Sequence, residues 1–113
     1  MKTLTDNDFH EEVYHHDGPV AVLFSFPGCA PCRTQAKALN DLAKKDGVKV
    51  VKVDIGESPE IANLFKVSSL PTTLFFTRGA PRIRLTGVAS YHSLRKTVKE
   101  AVEEGEDAPA HAH

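Results

Sequence analysis

Cys29 and Cys32 are the only cysteines among 113 residues, and only Ala30 and Pro31 separate them. A loop that short restrains the unfolded chain little, so the pair is a poor structural staple. Reversible chemistry suits it better. Two thiols lose two electrons and two protons to form a disulfide, and thiolate attack opens it again. The rival use is half a zinc site, but zinc usually takes four ligands. No further cysteine exists, and His10, His15 and His16 do not repeat a finger spacing. We therefore read the pair as redox-active.

The neighbouring residues position it. Val20 to Phe26 is apolar almost throughout, as a parallel-sheet strand buried on both faces is. Pro27-Gly28 breaks that run, and a helix is expected from Cys29 or Ala30 to about Lys45. Ala36, Leu39, Leu42 and Ala43 keep helical spacing, and Gly47 closes it. Cys29 thus falls at a helix N-terminus, where backbone N–H groups are unpaired and the dipole is positive. Such settings lower a cysteine pKa from about 8.5 into roughly 3.5–7.5 and favour the reactive thiolate. Pro31 suits the first turn, where its missing N–H costs nothing. Cys32, three residues on, returns to the same side of the helix.

The remaining chain supplies a scaffold. Lys2-Thr3-Leu4 reads as a short edge strand. Thr5 to Asp8 is rich in N-capping residues, so a helix is expected to about His16, with Phe9, Val13 and Tyr14 on its apolar face. Val48 to Ile55 is the next strand, with Asp54 as a strand-end cap. Ser58 reads as the N-cap of a short helix from Pro59 to Phe65, anchored by Leu64 and Phe65. Thr73 to Thr77 and Arg82 to Thr86 form an antiparallel hairpin across the turn Arg78-Gly79-Ala80-Pro81. Arg78, Arg82 and Arg84 read as solvated strand charges. A last helix from about Ser90 to Glu103 buries Leu94, Val98, Ala101 and Val102. Strand–helix–strand units impose right-handed crossovers and parallel pairing. The α/β order predicts a central mixed sheet of about five strands flanked by four helices. We divide the chain into one domain, 1–104, and a flexible tail, 105–113. His111 and His113 are read as part of that tail and not as metal ligands.

Composition narrows the partners. A formal net charge of −1 argues for neither nucleic acid nor an anionic membrane. No apolar run approaches the ~20 residues of a membrane span. Met1 to Asp6 lacks a signal-peptide core, from which we expect a cytoplasmic protein.

At this point the chain resembles the thioredoxin family, from about Leu4 to Val102. The resemblance rests on Leu4-Thr5-Asp6, Cys29-Ala30-Pro31-Cys32 after a buried strand, Val53-Asp54, Leu70-Pro71-Thr72 and Gly87, in that order. It implies a thioredoxin fold and a thiol–disulfide oxidoreductase that cycles the Cys29–Cys32 pair as a protein-disulfide reductase. Cys29 corresponds to the attacking thiol and Cys32 to the resolving thiol. Ala30 and Pro31 complete the active-site loop, and Pro71 corresponds to the family's cis-proline. Gly28, Leu70, Thr72, Thr86, Gly87 and Val88 correspond to the substrate-binding rim. The implied partners are disulfide-containing proteins and an external donor such as thioredoxin reductase. The implied protein is a monomer with no cofactor and no metal.

The departures from the family pattern are specific. Leu23 stands where the family places a buried Asp that aids proton removal from the resolving cysteine. Ser25 and Gly28 replace its tryptophans, Ala30 its Gly between the cysteines, and Lys37 its helix-kinking Pro. Lys52 keeps its place without the carboxylate partner, so Cys32 is expected to deprotonate through water or directly to solvent. Two other functions stay open: a non-catalytic thioredoxin-fold binding subunit of a larger assembly, and a disulfide oxidant or isomerase. Replacing both cysteines with Ser separates the first from an enzyme, because a binding subunit would keep its role.

Overall fold

Every residue of Val20–Ser25 is buried, so this strand must be covered on both faces and flanked on both edges. In the computed structural model, which describes residues 1–107, it is the third strand of a five-stranded sheet. We name the strands β1 (Lys2–Leu4), β2 (Val20–Ser25), β3 (Lys49–Asp54), β4 (Thr72–Thr77) and β5 (Ala80–Thr86). Their order across the sheet is β1-β3-β2-β4-β5. β3 runs parallel to β1 and β2, whereas β4 is antiparallel to β2 and β5. The helices are a π-helical segment (His10–Tyr14), α1 (Ala30–Asp46), α2 (Pro59–Leu64) and α3 (Tyr91–Asp107).

Strand alternation divides the core in two. Val20, Val22 and Phe24 of β2 join Phe9, Val13, Ile61, Leu74 and Phe76 on one face, under the π-helical segment and α2. Ala21 and Leu23 join Leu39, Leu42, Phe75, Leu94 and Val98 on the other, under α1 and α3.

Four local details differ from the sequence reading. The first helix does not run to His16 as an α-helix. Thr5 and Asp8 form a reciprocal cap, in which the Asp8 N–H donates to Thr5 Oγ1 at 3.3 Å and the Thr5 N–H to Asp8 Oδ2 at 3.2 Å. The following turn then widens, and the His15 N–H donates to the His10 carbonyl at 3.2 Å. Phe9, Val13 and Tyr14 all pack against the same core as a result.

Ser58 caps α2 by position but not by hydrogen bond, because its hydroxyl donates to the Leu4 carbonyl at 3.3 Å. Asp6 satisfies the helix instead, accepting the Ile61 N–H at 3.1 Å. Leu64 is exposed, and Ile61 and Ala62 are the residues that α2 buries.

The hairpin turn is shorter than expected. Thr77 pairs with Ala80, leaving only Arg78 and Gly79 in the loop, at φ 54° and 78°. Two positive φ values are the signature of the turn whose twist matches a hairpin. A side chain at Gly79 would strike the Tyr14 carbonyl, so glycine is required there. The arginines are also not merely solvated. Arg82 Nε donates to Thr77 Oγ1 at 3.0 Å, Arg78 Nη1 to the Gly105 carbonyl at 3.4 Å, and Arg84 Nη2 to the Phe65 carbonyl.

Finally, α3 continues to Asp107, past the domain boundary drawn at 104. Thr77 Oγ1 donates to the Ala101 carbonyl at 3.0 Å, and Arg78 meets that of Gly105. Both bonds fasten the C-terminal half of α3 to the end of β4 and the turn that follows it. The rest of the expected tail, including His111 and His113, lies outside the described residues.

Candidate active site

The strand register gathers the site at one end of the sheet. Ser25 at the end of β2 pairs with Asp54 at the end of β3. Phe24 pairs with Thr72 at the start of β4, and Thr72 pairs with Thr86 at the end of β5. Neighbouring strands lie about 4.8 Å apart. The segments leaving these four ends are therefore neighbours, although 62 positions separate Phe24 from Thr86 in the chain.

Cys29 is the N-cap residue of α1, with extended backbone at φ −85° and ψ 100°. Its Sγ accepts the Cys32 N–H at 3.2 Å, so the sulfur takes one of the amides a helix start leaves unpaired. The turn that delivers it is closed by the Cys29 N–H donating to the Phe26 carbonyl at 3.2 Å. Gly28 sits in that turn at φ +90°, a conformation that L side chains rarely adopt. Cys29 and Cys32 form a disulfide with Cα atoms 5.2 Å apart. Their surroundings differ: Cys32 is only 3 % exposed, whereas Cys29 is half-buried. Ala30 and Pro31 lie exposed between them.

Behind Cys32, a cleft of about 360 Å³ is lined by Leu23, Ser25, Ala36, Lys52 and Asp54. Leu23 is fully buried and pairs in register with Lys52. Asp54 Oδ1 accepts the N–H groups of Gly56 and Glu57 at 2.8 and 3.3 Å, the strand-end cap expected of it. Among the described residues, no group of three or more His, Cys, Asp or Glu side chains is placed to hold a metal ion.

The rim residues fall into two groups. The Leu70–Pro71 bond is cis, with Pro71 buried and Leu70 half-buried. The Thr72 hydroxyl donates to the Ser69 carbonyl at 2.7 Å, fastening the loop that enters β4. The Gly87 N–H donates to the Pro71 carbonyl at 2.8 Å, which joins this loop to the segment after β5. Thr86 and Val88 are exposed on either side of Gly87. Gly28 is exposed in the turn before Cys29 and shares no hydrogen bond with the other rim residues.

Sequence reasoning missed Gln35. It is a fully buried amide on α1, three residues after Cys32, and it pairs with both backbone groups of Ala89. A polar residue at a core-spaced helix position was the available signal: Gln35 precedes Leu39 and Leu42 on the buried stripe.

A vicinal disulfide at a helix start, with a cis-proline loop at the same end of a β1-β3-β2-β4-β5 sheet, defines a thiol–disulfide redox protein of the thioredoxin fold. The thioredoxin family model matches residues 1–100, and the chain belongs to the thioredoxin family. It is 36% identical over 102 residues to a thioredoxin of Griffithsia pacifica, covering 88% of this chain and 94% of that one. It is 34% identical over 99 residues to thioredoxin 1 of Nostoc sp., covering 86% and 92%. A solved structure of chloroplastic thioredoxin z superimposes with a TM-score of 0.82 at 26% identity, over 91% of this chain and 95% of that one.

The protein is a thiol–disulfide oxidoreductase, a protein-disulfide reductase whose redox centre is its own disulfide and which needs no cofactor. Its substrates as a family member are disulfide-bearing proteins, with a reductase as partner. Among the described residues, no helix is long and apolar enough to cross a membrane.

Proposed function

We propose that Cys29 is the nucleophile and Cys32 the resolving thiol. The unequal exposure of the two cysteines carries this assignment. The accessible sulfur is also the one that accepts a helix N–H, which favours its thiolate. Cys29 Sγ attacks one sulfur of the substrate disulfide, and the other sulfur leaves as a thiolate. Cys32 then loses its proton and attacks Cys29 Sγ. The mixed disulfide breaks, the second substrate thiolate leaves, and Cys29–Cys32 closes. Two electrons have passed to the substrate. Leu23 offers no base, so the Cys32 proton leaves through the cleft that Lys52 and Asp54 line.

Leu70, Thr72, Thr86, Gly87 and Val88, with Gly28, form the rim that takes the substrate. Among the described residues, no other backbone group engages the Leu70 N–H or carbonyl, which leaves them for an extended segment to pair as an added strand. The oxidised pair is re-reduced by thioredoxin reductase. The protein acts as a monomer in the cytoplasm, a reducing compartment where a vicinal pair cycles.

A Cys32→Ser variant tests the assignment. Exposed to a lysate and run without reductant, it should retain disulfide-linked proteins on Cys29, whereas Cys29→Ser should retain none. Trapping by Cys29→Ser alone would reverse the roles. Identifying the trapped proteins names the substrates, and co-migration of the native protein at its monomer mass checks the oligomeric state.

A further inference from the structure

Gln35 is 0 % exposed, yet no part of the exchange chemistry uses it. Its carboxamide lies against one backbone residue. Gln35 Nε2 donates to the Ala89 carbonyl at 3.1 Å, and the Ala89 N–H donates to Gln35 Oε1 at 2.6 Å. A buried amide satisfied on both sides holds its partner in one place, because any shift leaves donors and acceptors unpaired. Ala89 belongs to the segment between β5 and α3, the stretch that carries Gly87 and Val88. Its other end is tied by the Gly87 N–H to the Pro71 carbonyl at 2.8 Å. Val88 stands between the two ties and is 51% exposed.

We infer that Gln35 is a positioning residue for protein substrates. It sets the distance between the Cys29–Cys32 pair and the Val88 side of the rim. The geometry is direct: Gln35 and Cys32 share one helix, one turn apart, so whatever Gln35 holds is referenced to the sulfurs. Without this tie the segment keeps the Pro71 bond, the apolar packing of Ala89 and its join to α3, but no polar bond fixes it to the helix that carries the sulfurs, and Val88 gains freedom relative to Cys29. A small disulfide reaches Cys29 without touching Val88, so its reaction is indifferent to the tie. A protein disulfide, laid along the rim, is not. The inference rests on the proposed rim, and its test separates the two.

The test compares Gln35→Leu, Gln35→Glu and Val88→Ser with the parent on two substrates. Insulin is the protein disulfide, with dithiothreitol as electron source, and Ellman's disulfide is the small one. Gln35→Leu has similar volume and leaves both Ala89 groups unpaired. It should raise KM for insulin about tenfold with little change in kcat, and leave the small-disulfide rate within about twofold. Gln35→Glu, held protonated at this buried position, keeps an acceptor and one O–H donor in a different geometry, so its KM should lie between those of the parent and Gln35→Leu. Amide exchange supplies a readout independent of turnover. The parent's Ala89 N–H should exchange slowly and that of Val88 fast, with protection at Ala89 lost in Gln35→Leu.

If Val88→Ser weakens insulin reduction and Gln35→Leu does not, the tie is overturned and the rim stands. If neither variant affects insulin, both are overturned. Equal loss on both substrates would mean that Gln35 supports the cysteines themselves, which also overturns the inference. Should Gln35→Leu fail to fold, Gln35→Glu and the parent's own exchange decide. An Ala89 N–H that exchanges as fast as that of Val88 in the parent defeats the proposal outright.

Discussion

At the scale of single residues, the helix start makes two like cysteines unlike. One sulfur caps the helix within reach of solvent, and the other turns inward. Residue type and spacing are enough to disclose that pair. The polar groups around them are less legible. Leu23 reads as core and is core. Beside it in register on β4 is Thr73, whose hydroxyl is the one buried side-chain polar atom without a partner among the described residues. Threonine in a strand looks ordinary, so nothing in the sequence marks it as unpaired. A buried hydroxyl with no hydrogen bond costs about 1–3 kcal/mol. Thr73→Val keeps the shape and removes the unpaired group. It should stabilise the protein by about 1 kcal/mol, read as a higher urea midpoint with an unchanged slope. A lower midpoint would show that the hydroxyl is satisfied in solution.

Among the elements, the join between α1 and α3 titrates. Tyr91 donates its hydroxyl to Asp46 Oδ2 at 2.7 Å, and Arg95 Nε donates to Oδ1 at 3.2 Å. The Tyr91 hydrogen bond, aided by Arg95, holds the Asp46 carboxyl below its ordinary value. A carboxylate lowered in the folded state adds stability that is present above its unfolded pKa, near 4, and lost as pH falls through the lowered value. Tyr91 moves the opposite way, raised mainly by the same bond. Its share is present below about 10 and lost as pH rises through the raised value. Asp46→Asn should therefore lose stability at pH 7 and show a shallower fall in urea midpoint from about pH 4 downward. Parallel curves for variant and parent would refute the link. The order of elements, their types and most ends followed from periodicity and from Gly47, Pro59 and Gly79. The ends that differed were set by bonds that periodicity does not show: the Thr5–Asp8 cap and wider turn at the first helical segment, the two-residue Arg78-Gly79 turn before β5, and α3 running on beside Thr77 and Arg78.

For the molecule as a whole, the face opposite α1 is an aromatic cluster. The Phe9 ring meets Tyr14, Phe65 and Phe76 with centroids 5.3, 5.8 and 5.9 Å away. It binds the first helical segment, the end of α2 and β4 into one unit. Phe9→Ala should cost about 3–5 kcal/mol, a large part of the 5–15 kcal/mol typical of a domain. Unfolding should stay two-state, because one sheet serves both cores. Phe9 lies on the face away from Cys32, so insulin reduction well below the melting temperature should match the parent. A large loss there would mean that the two faces are coupled through β2.

Local chemistry was written along the chain. Alternation, helical spacing, breakers and a vicinal cysteine pair each depend on residues a few positions apart, and from them the mixed sheet and its redox pair followed. The ties that finish the fold join residues far apart in the chain. Gln35 and Ala89 are 54 positions apart, and Asp6 and Ile61 are 55. No local pattern encodes such a meeting, because it exists only once the sheet has set its register and brought α1 over the segment that follows β5.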